Sequence, residues 1–199
     1  MQPGDIDPES GCRLPLPDRD ALDEARRRIY DDLADPQGGS LRGLRGPGGI
    51  ALHSPGLAPR SRALNHYLRH EAGLGGRLRE IAILTTARAL DSDFEWAAHE
   101  AEALREGVPI EAVKAIKHGR STAGLDAADA VVIDLGREIF TGRSVAPDTY
   151  ARALAQFGPG KLVDLVALMG NYASTAVMLT AFAMQLDRGQ KKLPPRAGR

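Results

Sequence analysis

Arg77-Leu-Arg-Glu80-Ile-Ala-Ile-Leu-Thr-Thr-Ala-Arg-Ala-Leu-Asp-Ser92-Asp-Phe-Glu95-Trp96-Ala-Ala-His99-Glu-Ala-Glu-Ala, residues 77–103, is the most informative segment of the chain. It reads as two successive helices. On the second, Ser92, Glu95 and His99 are spaced i, i+3, i+7 and share one stripe, while Phe94, Ala97, Ala98, Ala101 and Leu104 form an apolar stripe beside it. On the first, Ile81, Leu84 and Arg88 mark one face, and Glu80 turns toward the polar line if the two helices pack antiparallel. Two carboxylates and an imidazole so placed are groups for proton transfer. On periodicity alone the same residues read equally as a solvated face, with Glu95, His99 and Glu102 in water and Glu80 in a surface pair with Arg77 or Arg79.

Outward from this stretch the pattern stays helical. Asp18 or Asp20 is placed to cap a helix from about Ala21 to Leu33, and Asp35-Pro36-Gln-Gly-Gly ends it. The glycine-rich run Arg42-Gly-Leu-Arg-Gly-Pro-Gly-Gly follows no strand and lacks a Gly-Lys-Ser/Thr ending, so it is a turn into a short helix ending near His53 and not a phosphate loop. Pro55 and Pro59 open a helix over about 57–71, and Gly73, Gly75 and Gly76 separate it from the helix of Glu80. After Gly107, a C-cap, come a short helix from Pro109 to Lys117, one over 126–141 with Ala130, Ile133, Leu135 and Ile139 apolar, and one from Ala146 that stops at Phe157-Gly158-Pro159-Gly160. A long apolar helix closes the series. No period-2 strand of any length appears, so the expected class is an all-α array of about eight helices. Its expected organisation is an irregular segment 1–20, one helical domain 21–187 and a polar tail 188–199.

Composition narrows the function classes. The chain of 199 residues suffices for one domain with a sizeable core, and its 26 basic and 26 acidic residues cancel, leaving no electrostatic footprint for nucleic acid or an anionic membrane. The single cysteine, Cys12, excludes an internal disulfide and a Cys-based metal site, and in its Pro- and Asp-rich setting reads as an exposed bystander. The N-terminal residues lack the basic and apolar regions of a secretory signal, which makes the cytoplasm the expected compartment. Leu165 to Leu186 contains no charged residue and is long enough to span a bilayer, but Asn171, Tyr172, Ser174, Thr175, Thr180 and Gln185 interrupt it. It reads as a buried or subunit-interface helix, with no membrane role.

The order and spacing of these motifs resemble the carboxymuconolactone decarboxylase family, which includes the AhpD-like alkylhydroperoxidases. Redox members place Cys-x-x-Cys after a Glu and before a His. Here Glu80 and His99 match that Glu and His at the same spacing, and Ser92 and Glu95 stand at the two cysteine positions. The likeness continues through Gly46-Pro47, His53-Ser54-Pro55, Gly107-Val108 and Leu162-Val-Asp-Leu-Val-Ala-Leu-Met-Gly, covering roughly residues 40–187. It implies an AhpD-like helical fold of the non-thiol branch, a homo-oligomer (trimer or hexamer) and a place in aromatic compound catabolism.

On this reading the chain is a cofactor-independent lyase acting by acid/base chemistry on a small carboxylated or lactone-type molecule. His99 is the expected proton donor or shuttle, Glu80 its orienting partner and Glu95 a second acid/base group. Ser92 is a hydrogen-bond donor or a plain helix cap. Arg77 and Arg45 are candidate anchors for a substrate carboxylate, since guanidinium matches it in bidentate fashion. Asn171 and Tyr172, set in an apolar helix, need buried partners and are candidate pocket residues. His66 and His70 share a helix face, but the Glu of His-Glu-x-x-His is absent and no metal is expected. Two competing readings are an AhpD-like peroxidase or disulfide reductase, which lacks its dithiol here, and a non-catalytic oligomeric small-molecule-binding protein. A buried Glu80–His99 pair discriminates against the latter.

Overall fold

The computed structural model describes residues 4–37 and 40–196. Among them are eight α-helices and no strand, as the missing period-2 pattern requires. They are α1 (Glu24–Ala34), α2 (Pro47–Ala51), α3 (Leu57–His66), α4 (Gly76–Ala89), α5 (Asp93–Arg105), α6 (Ile110–His118), α7 (Ala127–Arg137) and α8 (Pro147–Ala181). Wide π-type turns extend α3 through Tyr67–Glu71 and α7 through Glu138–Gly142.

α4 is the axis of the molecule. Every residue from Arg79 to Arg88 on it is buried, because α5, α6, α7 and α8 all pack around it. Ile81, Ile83 and Leu84 join Trp96 of α5, Val113 of α6, Ile133 of α7 and Leu165, Leu168 and Met169 of α8 in one core. A helix enclosed on all sides takes any polar residue it carries into the interior, and Glu80 is 0% exposed. Small residues permit the close approach. A Cβ on Gly136 of α7 would lie 2.7 Å from Thr85 Cγ2 on α4 and 3.2 Å from Met169 Cε on α8.

α8 is two helical arms. Gly158 has φ 70°, ψ 170°, a backbone that only glycine adopts without strain, and Pro159 follows it. The stop read at Phe157-Gly158-Pro159-Gly160 is therefore a real break within a continuous run of turns. On the second arm Leu165, Leu168, Met169, Tyr172, Ala176 and Leu179 face the core. Val163 and Val177 on its other side are 67% and 65% exposed. By length and composition alone α8 is apolar enough to cross a membrane, yet this core-facing stripe is covered by protein.

The N-terminal region departs from expectation. The first helix starts at Glu24, capped by the Asp23 carboxylate, which accepts from Arg26 N at 2.9 Å; Asp18 instead caps the 3-10 turn Arg19–Ala21. Cys12 is not exposed. It is 1% accessible and packs with Ile50, Phe94 and Leu179, its thiol donating to the Leu14 carbonyl at 3.3 Å. The segment is tied down by backbone bonds, Arg13 N to Phe182 O and Gln185 N to Gly11 O, both 2.9 Å. At the other end residues 191–196 form no helix, and the Leu193 N–H donates to Asp93 at 2.8 Å. The Gly38-Gly39 part of the first helix stop and residues 197–199 of the tail lie outside the described residues.

Candidate active site

Glu80 and His99 reach each other across the α4–α5 contact. His99 Nδ1 lies 2.7 Å from Glu80 Oε2, with the His99 side chain 8% exposed. A carboxylate only accepts, so Nδ1 carries the proton and Nε2 is the nitrogen available to a substrate. The solvated-face reading is thereby set aside, since Glu95 is 3% exposed. The reason is the helix crossing: α5 turns its polar stripe toward α4.

Glu80 is held from its other side by cations. Arg79 Nε donates to Glu80 Oε1 at 3.2 Å, and Arg69 Nη2 stands 3.7 Å from the same oxygen. Arg79 also donates to Glu106 at 2.9 Å and to the Arg69 carbonyl at 3.0 Å. Burial works to raise the Glu80 carboxyl, but the hydrogen bond and charge of His99, with Arg69 and Arg79, outweigh it and hold the group below its ordinary value. Glu80 is an anion in place.

Tyr172 of α8 completes the group. Its hydroxyl accepts from Arg69 Nη1 at 2.6 Å, and its ring meets the His99 imidazole edge-on, centroids 5.2 Å apart. Burial pushes the phenol up to about 12. Glu95 differs in kind from Glu80. Both of its oxygens are buried and neither accepts a hydrogen bond of good geometry. Burial pushes this carboxyl up to about 8, against a smaller opposing effect of the Ser92 hydroxyl. At neutral pH Glu95 is a carboxylic acid, one turn from the imidazole and near enough to Tyr172 to act on its ionisation.

The remaining candidates separate. Ser92 is buried at the N-cap position of α5, with no side-chain capping bond. Asn171 faces α3, its amide donating to Asn65 Oδ1 at 3.3 Å. Arg77 is engaged elsewhere: it donates to Asp129 at 2.9 and 2.7 Å and pairs with Asp126 at 3.0 Å, tying α4 to α7. Arg45 pairs with Asp187 at 3.0 Å, against the N-terminal segment. Neither guanidinium joins the Glu80–His99 group, because each has a carboxylate of its own from a distant part of the chain. The rings of His66 and His70 lie tilted with centroids 5.0 Å apart, and among the described residues no cluster of three metal-ligating side chains occurs.

Arg69 was not legible as a site residue. It sits in the π-turn after α3, eleven positions before Glu80 and 103 before Tyr172, and no spacing links it to either. The widened turn is the available signal, since such insertions concentrate at functional sites. Arg79, read as a surface partner of Glu80, is its buried partner instead.

Residues 55–133 match the model of the carboxymuconolactone decarboxylase family. This stretch is a carboxymuconolactone decarboxylase family unit. No curated protein matches the chain. Glu80, Ser92, Glu95, His99 and Arg69 all lie within the matched residues, whereas Arg45, Asn171 and Tyr172 lie outside them. The all-α array around α4 is the fold expected of an AhpD-like member of this family.

Proposed function

We propose that the protein is a cofactor-independent lyase of the decarboxylase type, acting on a small carboxylated or lactone-type organic molecule. The observation that carries the reading is the pairing of a buried, ionised Glu80 with His99 at 2.7 Å, next to a buried Glu95 carboxyl whose oxygens accept no hydrogen bond of good geometry. An unsatisfied buried carboxyl costs stability, and a substrate oxygen accepting its proton would recover that cost.

Charge supports the same assignment. With Glu95 protonated, the cations Arg69 and Arg79 offset the anions Glu80 and Glu106. When His99 takes up a proton the group becomes positive in a low-dielectric setting, which favours an anionic substrate or a developing oxyanion. In the proposed step the bond from carbon to the departing carboxylate breaks, and its electron pair passes into the conjugated lactone as carbon dioxide leaves. A proton from His99 Nε2 then closes the new C–H bond. Glu80 orients the imidazole and stabilises its charged form, Glu95 donates to the lactone oxygen that gains charge, and Arg69 and Tyr172 fix Glu80 and the ring.

A dithiol peroxidase is not supported, because Ser92 and Glu95 occupy the positions of the thiol pair and Cys12 packs against Phe94 and Leu179 in a separate cluster. Family likeness also underlies the proposal that the protein works as a cytoplasmic homo-oligomer, a trimer or hexamer, joined through the exposed side of α8.

The test is turnover of carboxymuconolactone and related lactone acids in deuterated buffer, followed by proton NMR. Carbon dioxide release with one deuteron placed on the decarboxylated carbon is expected, and His99→Gln should lower kcat by about 10²–10⁴-fold. Full activity in folded His99→Gln would remove the imidazole from the mechanism.

A further inference from the structure

The bend in α8 leaves a cavity of about 300 Å³ between the break at Gly158 and the turn into α4. Leu74, Leu78, Phe157 and Leu165 form its apolar walls, and Gln156 and Lys161 are its polar lining residues. Lys161 lines the cavity from the second arm of α8. Its Cε lies 4.0 Å from where a Cβ on Gly73 would sit, so its stem reaches the turn between α3 and α4.

The neighbouring acids are committed elsewhere. Asp164, one turn further along, accepts the Tyr67 hydroxyl at 3.2 Å, and Glu71 pairs with His66 at 3.3 Å. Among the described residues Lys161 has no carboxylate within ion-pair distance, whereas Lys114 and Lys117 pair with Glu111 and Glu100. A hollow lined by four apolar side chains together with one unpaired cation and one amide has the anatomy of a small-ligand site, few polar groups fixing the orientation of an apolar body.

We propose that this cavity binds a small amphipathic monocarboxylate, whose alkyl or aryl body fills the space between Leu74, Leu78, Phe157 and Leu165 while its carboxylate pairs with Lys161 and accepts from Gln156. A cavity of this volume, at the lower end of the range for ligand sites, suits roughly ten non-hydrogen atoms. It is separate from the Glu80–His99 group: Leu165 precedes Tyr172 by two turns of the same arm, roughly 10 Å along the axis. The proposal therefore stands whether or not the lyase reading does.

Titration calorimetry of the full chain with sodium octanoate tests it. Saturable binding with a dissociation constant below about 1 mM is expected, and 1-octanol, which keeps the chain without the charge, should bind at least about ten-fold more weakly. Lys161 is exposed, so Lys161→Glu leaves the core untouched; it should weaken octanoate at least about ten-fold, while Lys161→Arg stays within about three-fold. Heats that never saturate, equal affinity for octanol and octanoate, or octanoate binding indifferent to Lys161→Glu would each overturn the assignment.

Discussion

Glu95 and Glu80 are the same residue type in two environments, and their protons answer to pH in opposite senses. Unfolded, Glu95 ionises near 4.5; folded, near 8, because burial disfavours its charge. Its protonated native form contributes stability that is fully present below about 4.5 and is lost as pH rises through about 8. Glu80, depressed by His99 and the two arginines, contributes stability that is present above 4.5 and is lost as pH falls through its lowered value. Glu95→Gln should thus gain melting temperature relative to the unmodified protein as pH rises from about 5 to about 8, measured by scanning calorimetry. A difference that stays constant across that window would show that Glu95 does not titrate there. Cys12 yields a second outcome: because it is buried, iodoacetamide should label it slowly in the native protein and rapidly in urea, and Cys12→Ser should retain activity. Loss of turnover in a folded Cys12→Ser protein would revive the redox reading.

At the scale of elements, the site depends on how closely α7 and α8 press on α4. Gly136 marks the tightest approach, where a side chain would meet the stiff, β-branched Thr85 at 2.7 Å. Gly136→Leu should cost about 1–3 kcal/mol or more by overpacking, read as a lower urea midpoint with unchanged slope. Unaltered stability would mean that α7 shifts freely, which the shared core of Ile133, Leu84 and Met169 argues against. Leu84→Ala, wholly buried in α4, should cost about 2–5 kcal/mol. Element types and most boundaries were legible because caps, glycines and prolines act within a few residues of themselves: Gly107, Gly119 and Gly158 all stand in positive-φ conformations where helices stop or break. The first helix began late because three aspartates, Asp18, Asp20 and Asp23, compete as N-caps, and local sequence does not rank them.

For the whole molecule, the question is what covers the second arm of α8. Val163 and Val177 are about two-thirds exposed, and Val166 is 40% exposed on the same side. An apolar stripe of this length on one helix is the kind of surface that soluble chains bury against a copy of themselves. Val177→Asp should lower the assembled mass in light scattering, with the helical circular dichroism signal kept. A well-behaved monomer at micromolar concentration in the unmodified protein would refute the oligomer.

The helical class, the order of the elements, the break before the apolar arm and the spacing of Glu80 and His99 could all be read from the chain, since each depends on periodicity, on turn chemistry or on residues nineteen positions apart. Tertiary structure alone decided which polar stripe is buried. Periodicity gives a face its composition but not its neighbour, so Glu95 and His99 were equally compatible with water until α5 was laid on α4. The same holds for the partners. Arg69 and Tyr172 meet from 103 residues apart, and Arg77 and Arg45 are drawn to Asp129 and Asp187, because an ion pair forms with whichever charge the fold brings within reach, and that distance is a property of the packed chain.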